Sequence, residues 1–284
     1  MLNKKIAFVT DSTVYLTEEL KNHPDVYVVP LTISFGQESF EDGLDLTTEE
    51  LYHRINSFEE IPKTSQPSVG TFVELFEKLK HQGYDGALAI HITSKLSGTL
   101  SSCIQASKMA EFSVFAIDSL AMSYEITVLL NKALALNEKN LSLEELGNAI
   151  LLEVPKGENY FIPGKLDQFY KGGRMSSAAY YLGSLLNIKP ILHCNEVGEF
   201  APLEKVRSEK KAFKRLLEFL SLAKEQATVD TIAIMHGNVI GKANELGSLI
   251  LEKYPKTDII YGEISSTIAA HAGEGTIAIL WTNE

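Results

Sequence analysis

The sequence predicts an α/β protein of two domains, an N-terminal parallel sheet with helices on both faces over residues 1–157 and a C-terminal mixed α/β domain over residues 158–284. Three observations carry this. Short apolar runs at residues 6–10, 87–92 and 114–117 alternate with amphipathic segments, as parallel strands joined by helices do. Beyond Gly157 the pattern changes to a hairpin, Lys189–Cys194 and Phe200–Val206 about a turn at 195–198, which requires a mixed sheet. The chain has 284 residues, 45% of them apolar, enough for two cores.

The first run ends in Asp11, Ser12 and Thr13, so a buried strand delivers polar groups at its carboxyl end. Asp11 and Ser12 either reach a ligand there or cap the helix that runs through Leu20. Residues 26–35 read as a strand interrupted by Pro30, and 37–40 as its partner across a turn at Gly36. Thr47 and Glu50 have capping-box spacing for a helix over 48–56. Pro67 fixes its own φ and pushes Gln66 to extended backbone, so Thr64 and Ser65 lie in a polar turn, a rigid approach to the next helix. In that helix Val69, Phe72, Val73, Phe76 and Leu79 recur at helical spacing before a stop at Gly83. A helix over 98–110 follows the strand at 87–92. Residues 119–138 read as one long helix, and Ser142 with Glu145 caps the next, which ends near Pro155. Gly157, Glu158 and Asn159 mark the domain boundary. Beyond it come a strand at 160–162, an exposed helix over 208–226, a strand at 231–235, a helix over 240–254, and strands at 258–262 and 276–281.

Composition excludes several function classes. With 26 basic and 37 acidic residues the net charge is −11, which argues against binding nucleic acid through the overall field. Cys103 and Cys194 form no close pair, so neither a disulfide framework nor a metal-ligand spacing is present, and a reducing compartment is implied. The apolar run near Met1 is too short for a signal peptide and none spans a membrane, so a soluble, cytoplasmic protein is expected. A Walker A pattern is absent.

Three polar turns are predicted to meet: residues 63–68, Ser97-Gly98-Thr99, and 271–275. Hydroxyl and imidazole groups at the mouth of an apolar cavity suit a ligand with one polar end and a long apolar body. A carboxylate leaving water needs several donors, and Thr64, Ser97 and His271 supply three. The helix beginning near Gly98 adds free N–H groups and a partial positive charge. Phe72, Phe76, Tyr124, Leu129 and Ile268 are the candidate cavity lining. Ser97 with His271 is also a hydroxyl–base pair of the kind used in acyl transfer, although no Gly-x-Ser-x-Gly elbow surrounds Ser97 and no third residue orients the imidazole. Arg174 sits in an exposed turn. Lys205, Arg207, Lys210, Lys211 and Lys214 form a basic run, by itself a solvated face.

Five motifs, Thr64-Ser-Gln-Pro-Ser68, Ser97-Gly-Thr99, Lys171-Gly-Gly-Arg-Met-Ser176, Ile188-Lys-Pro-Ile-Leu192 and His271-Ala-Gly-Glu-Gly275, resemble in order those of the DegV family. That family includes the fatty-acid-binding subunits of bacterial fatty acid kinase, and the resemblance covers essentially the whole chain. It implies a lipid site between the domains and a chain that sequesters one long-chain fatty acid, presenting its carboxylate to a separate ATP-binding kinase subunit. The resulting acyl-phosphate passes to an enzyme of phospholipid synthesis. No catalytic residue, metal or cofactor is implied apart from the bound fatty acid. The resemblance assigns Thr64, Ser65, Ser97, Gly98, Thr99 and His271 to fatty acid binding, and sets Arg174 and Arg207 at the ligand mouth and on the face used by the kinase. A stand-alone binder of another amphiphile is the alternative, and a serine hydrolase the third reading. The last family motif usually reads His-x-Gly-Pro-Gly; here Glu274 replaces the proline.

Overall fold

The computed structural model describes residues 4–57, 62–175 and 188–284. Strands β1 (Ile6–Asp11) and β2 (Val26–Val29) are parallel neighbours, Phe8 lying opposite Val26. Between them is a short helix, Glu18–Asn22, capped by Thr17, whose hydroxyl accepts from the Leu20 N–H. Asp11 and Ser12 therefore cap nothing. At Pro30, which has no N–H to give to a ladder, the chain leaves the sheet. The interrupted strand expected over 26–35 is thus two strands in two sheets. β3 (Thr32–Phe35) pairs antiparallel with β4 (Glu38–Glu41) across Gly36, whose φ is +59°, and with β5 (Lys63–Ser65). The segment carrying Thr64 is consequently an edge strand with Thr64 opposite Ile33, not a free turn. The helix Thr48–Ser57 has its capping box: Glu50 N–H donates to Thr47 Oγ1 at 3.2 Å and Thr47 N–H donates to Glu50 Oε2 at 2.9 Å.

The chain then returns to the first sheet through β6 (Gly86–His91) and β7 (Val114–Asp118), giving the order β2-β1-β6-β7, all parallel. Alternation along β1 puts Ile6 and Phe8 on one face and Ala7 and Val9 on the other. Helices Val69–His81 and Thr99–Met109 pack Phe72, Phe76 and Cys103 against Ala7 and Val9. Helices Tyr124–Asn137 and Leu143–Leu151 pack Leu129, Leu130 and Leu146 against Ile6 and Phe8. Phe72, Phe76 and Leu129 are spent on these two cores and line no ligand cavity. The long helix expected from residue 119 begins only at Tyr124, because Leu120 and Ser123 have φ of +51° and +58°, which a right-handed helix excludes. The Ser142–Glu145 capping box is present as expected.

From Gly157 onward the chain builds a six-stranded mixed sheet in which β8 (Gly157–Ile162) is joined by β9 (Lys189–Cys194), β10 (Phe200–Val206), β11 (Thr231–His236), β12 (Asp258–Glu263) and β13 (Ile277–Thr282), in the order β10-β9-β8-β13-β11-β12. Only β11 and β12 pair parallel. β8 thus starts three residues before the expected strand and includes Glu158 and Asn159. One face is covered by the helices Glu209–Gln226 and Ile240–Lys253, through Phe213, Leu216, Leu246 and Ile250. The first of these is therefore amphipathic rather than exposed all round. The other face, with Phe161, Leu192, Met235 and Leu280, turns toward the first half of the chain and packs with Ile33, Leu51 and Tyr124. Two short helices, Leu166–Lys171 and Ser266–Ala272, lie in this shared layer.

Candidate functional site

Within that layer lies a cavity whose polar wall includes Thr64, Ser65, Gln66, Ser97, Arg174 and His271. Met122, Phe169, Phe200 and Ile268 line it too, and the same four side chains line a second cavity. The two are adjoining chambers. Phe161, Ile264, Met235 and Leu280 make the second one largely apolar, with Glu125 and Asn159 its ionisable and amide members.

β5 and the helix Ser266–Ala272 bring the first pair together: Thr64 Oγ1 lies 2.7 Å from His271 Nε2. His271 thus sits in the last helical turn, not in the glycine-rich turn that follows it. Its other ring nitrogen, Nδ1, is buried with no partner among the described residues. Gly172 passes so close that a Cβ there would fall 2.3 Å from Nδ1, so the imidazole position requires glycine at 172. Burial, and then the nearby Arg174 cation, hold His271 down to about 4, so the ring is neutral at pH 7.

Arg174 is half-buried, and burial lowers its pKa. Its Nε donates to the Leu96 carbonyl at 3.2 Å and an Nη donates to the Gly172 carbonyl at 2.7 Å. No carboxylate pairs with it among the described residues. Among the described residues, the polar chamber therefore carries a cation held by carbonyls, an environment that favours an anion.

Ser97 reaches the cavity, but its hydroxyl shares a hydrogen bond with Thr99 Oγ1 at 2.8 Å. The Ser97–His271 pair on which a hydrolase reading rests is not formed; the imidazole faces Thr64. Thr99 is fully buried and Gly98 is the N-cap of its helix, so both stand behind the wall. Gly98 leaves room for the Gln66 amide, whose Oε1 lies 2.3 Å from where a Cβ would be. Ser65 is exposed at the rim. Arg207 is also exposed, between β10 and the helix Glu209–Gln226, and lines neither chamber. Ser176 of the third motif lies outside the described residues. Of the expected apolar lining, Ile268 is in place, while Tyr124 packs in the shared layer without lining either chamber.

Two groups were missed by the sequence reading. Gln66 lines the cavity and donates to Ser102 Oγ at 3.3 Å; its place inside the Thr64–Ser68 motif was the available signal. Thr267 also lines the cavity, its buried hydroxyl without a partner among the described residues, and nothing local in the sequence marks it. Asp11 and Ser12, by contrast, do not reach the site. Asp11 accepts from Thr13 Oγ1 at 2.6 Å and from the Ile92 N–H at 2.9 Å, with His91 Nδ1 at 3.0 Å, and Ser12 donates to Asp42 at 3.0 Å. They brace the strand ends around it. Ser119 likewise turns back on its own loop, donating to the Ala121 carbonyl. Glu274 accepts from Asn238 at 2.6 Å and swings away from His271. Among the described residues no cluster fit to hold a metal occurs, and no helix is long and apolar enough to cross a membrane.

Comparison with known proteins matches this architecture over nearly its whole length. A DegV domain-containing protein of Halalkalibacterium halodurans is 36% identical over 279 residues, 98% of each chain. The crystal structure of a fatty acid binding DegV family protein from Streptococcus agalactiae superposes with a TM-score of 0.92 at 32% identity, over 99% of both chains. The fatty acid kinase B3 protein of Streptococcus pneumoniae, solved loaded with linoleic acid, shares the fold with a TM-score of 0.85 at 24% identity, over 99% of this chain and 100% of that one. The model of the DegV family matches residues 5–284, and with it the five ordered motifs and the pairing of a parallel four-stranded sheet with a mixed six-stranded one converge: the chain belongs to the DegV family.

Proposed function

We propose that the chain holds one long-chain fatty acid between a domain of residues 1–157 and a domain of residues 158–284. The carboxylate sits in the polar chamber against Thr64, Ser97, His271 and Arg174, and the acyl chain fills the apolar one. The observation that carries this reading is the pairing of a cation with no carboxylate partner among the described residues, and several hydroxyls, with an adjoining apolar chamber. The Streptococcus agalactiae relative, a fatty acid binding protein, supports it. A tail of about fourteen methylenes offers roughly 11 kcal/mol of gross transfer free energy, so the tail, not the head group, dominates affinity.

In this reading the chain is a substrate carrier for a separate ATP-binding kinase subunit, which phosphorylates the exposed carboxylate, and the acyl-phosphate then serves an enzyme of phospholipid synthesis. The fold shared with a protein named for fatty acid kinase supports this step. Arg174 faces the reacting end and Arg207, exposed, faces the partner. The protein purified without added lipid is expected to carry one fatty acid per chain, measured by native mass spectrometry and organic extraction. Recovery of no lipid, together with no uptake of added fatty acid, would overturn the proposal.

A further inference from the structure

We propose that Glu125 and Asn159 form the end wall of the acyl chamber and set the longest chain it accepts, an inference that rests on the fatty-acid reading above. Both residues line the apolar chamber and neither lines the polar one, so they stand away from the head group. Both also line a separate outer cleft of about 310 Å³ with Gly157, Glu158, His193 and Cys194. The chamber and the cleft thus share these two side chains as a partition.

The partition is held from three sides. Asn159 Oδ1 accepts from the Cys194 N–H at 2.6 Å, which fixes the amide so that its NH₂ faces Glu125. That NH₂ lies 3.2 and 3.3 Å from the two carboxyl oxygens of Glu125. Behind them, Gly157 leaves the space the carboxyl occupies: a Cβ there would fall 2.7 Å from Glu125 Oε1. Burial pushes the Glu125 carboxyl up to about 8, with the Glu158 charge acting in the same direction. A largely neutral acid is a wall that a terminal methyl group can meet without facing a bare charge.

Glutamate at 125 then acts by its length. Truncating it joins chamber to cleft and admits further methylenes, whereas pushing it forward shortens the chamber. The test is competition of saturated fatty acids, lengthened stepwise, against a fluorescent fatty acid bound to the full chain. E125A is expected to gain roughly tenfold or more for chains two to three methylenes beyond the wild-type optimum. E125Q, which keeps the shape, is expected to leave the optimum in place. Gly157→Ala, whose Cβ displaces the carboxyl toward the chamber, is expected to move the optimum to shorter chains. Opposite shifts in E125A and Gly157→Ala cannot arise from general destabilisation. If E125A and Gly157→Ala both bind fatty acid with the wild-type chain-length optimum, the end-wall assignment is wrong while the fatty-acid reading stands. Should E125A fail to fold, E125D and Gly157→Ala decide between the same two results, E125D with a smaller shift to longer chains. Wild-type protein that binds no fatty acid of any length overturns both.

Discussion

An Arg174→Ala variant is expected to lose acyl-phosphate formation by roughly two to three orders of magnitude when supplied with the kinase subunit and ATP. Its fatty acid affinity is expected to fall less, by about a hundredfold at most, because the buried tail supplies most of the binding free energy. The asymmetry follows from where the guanidinium lies. It is fixed by the carbonyls of Leu96 and Gly172, is half-buried, and has no carboxylate partner among the described residues. A cation so placed stabilises the oxygens of the incoming phosphoryl group while the carboxylate gives up its charge to the new O–P bond. Arg207 stands in a different relation to the chemistry. Being exposed and outside both chambers, it is proposed to act on encounter with the partner, so Arg207→Ala is expected to weaken turnover at limiting kinase in a salt-dependent way. Parallel measurement of lipid retention and of acyl-phosphate yield separates the two arginines. An Arg174→Ala protein that sheds its lipid yet supports normal phosphorylation of what remains would reverse the assignment.

Thr64→Ala combined with Ser97→Ala is expected to weaken fatty acid binding by about 3 kcal/mol, roughly a hundredfold, with the fold intact. Each change removes one hydroxyl from the chamber wall and leaves the backbone pairing of β5 and the helix behind Ser97 in place. The loss is larger than for two neutral hydrogen bonds, because donors to a carboxylate carry charge-assisted bonds. Equilibrium displacement of a fluorescent fatty acid gives the affinity, and thermal unfolding of the ligand-free variant checks the fold. Unchanged affinity and unchanged phosphorylation in the double variant would remove both residues from the site.

How far the sequence could be read depended on the range of the interactions involved. The strands at 6–10, 87–92 and 114–117 and the caps at Thr47 and Ser142 rest on local periodicity and side-chain-to-backbone bonds, and each appears where expected. The start of the helix at Tyr124 was missed because the left-handed backbone at Leu120 and Ser123 is imposed by the loop, where Asp118 accepts from the Leu120 N–H. Asp11 looked like a cap or a ligand group, and its actual partners, His91 and Ile92, come from β6 and the residue after it. Nothing near Asp11 in sequence announces them. The motifs picked out Thr64, Ser97, Arg174 and His271, which line one cavity, but the pairing of His271 with Thr64 instead of Ser97 depends on β5 joining β3. The lining was least legible, since Phe72 and Phe76 have the same helical spacing whether they face a cavity or a sheet.

Titration of the His271 imidazole by NMR, in ligand-free protein and in protein loaded with one fatty acid, tests most directly that the carboxylate occupies the polar chamber. Without ligand the ring is held down to about 4, by burial first and by the Arg174 cation second. A carboxylate seated between them adds a negative charge that favours the protonated ring and offsets the cation, so the sign of the change is upward. The imidazole of the loaded protein is expected to titrate well above its ligand-free value, toward the ordinary histidine value of about 6.5. A loaded protein, its lipid confirmed by extraction, in which His271 still titrates at its ligand-free value would place the carboxylate elsewhere and contradict the proposed site.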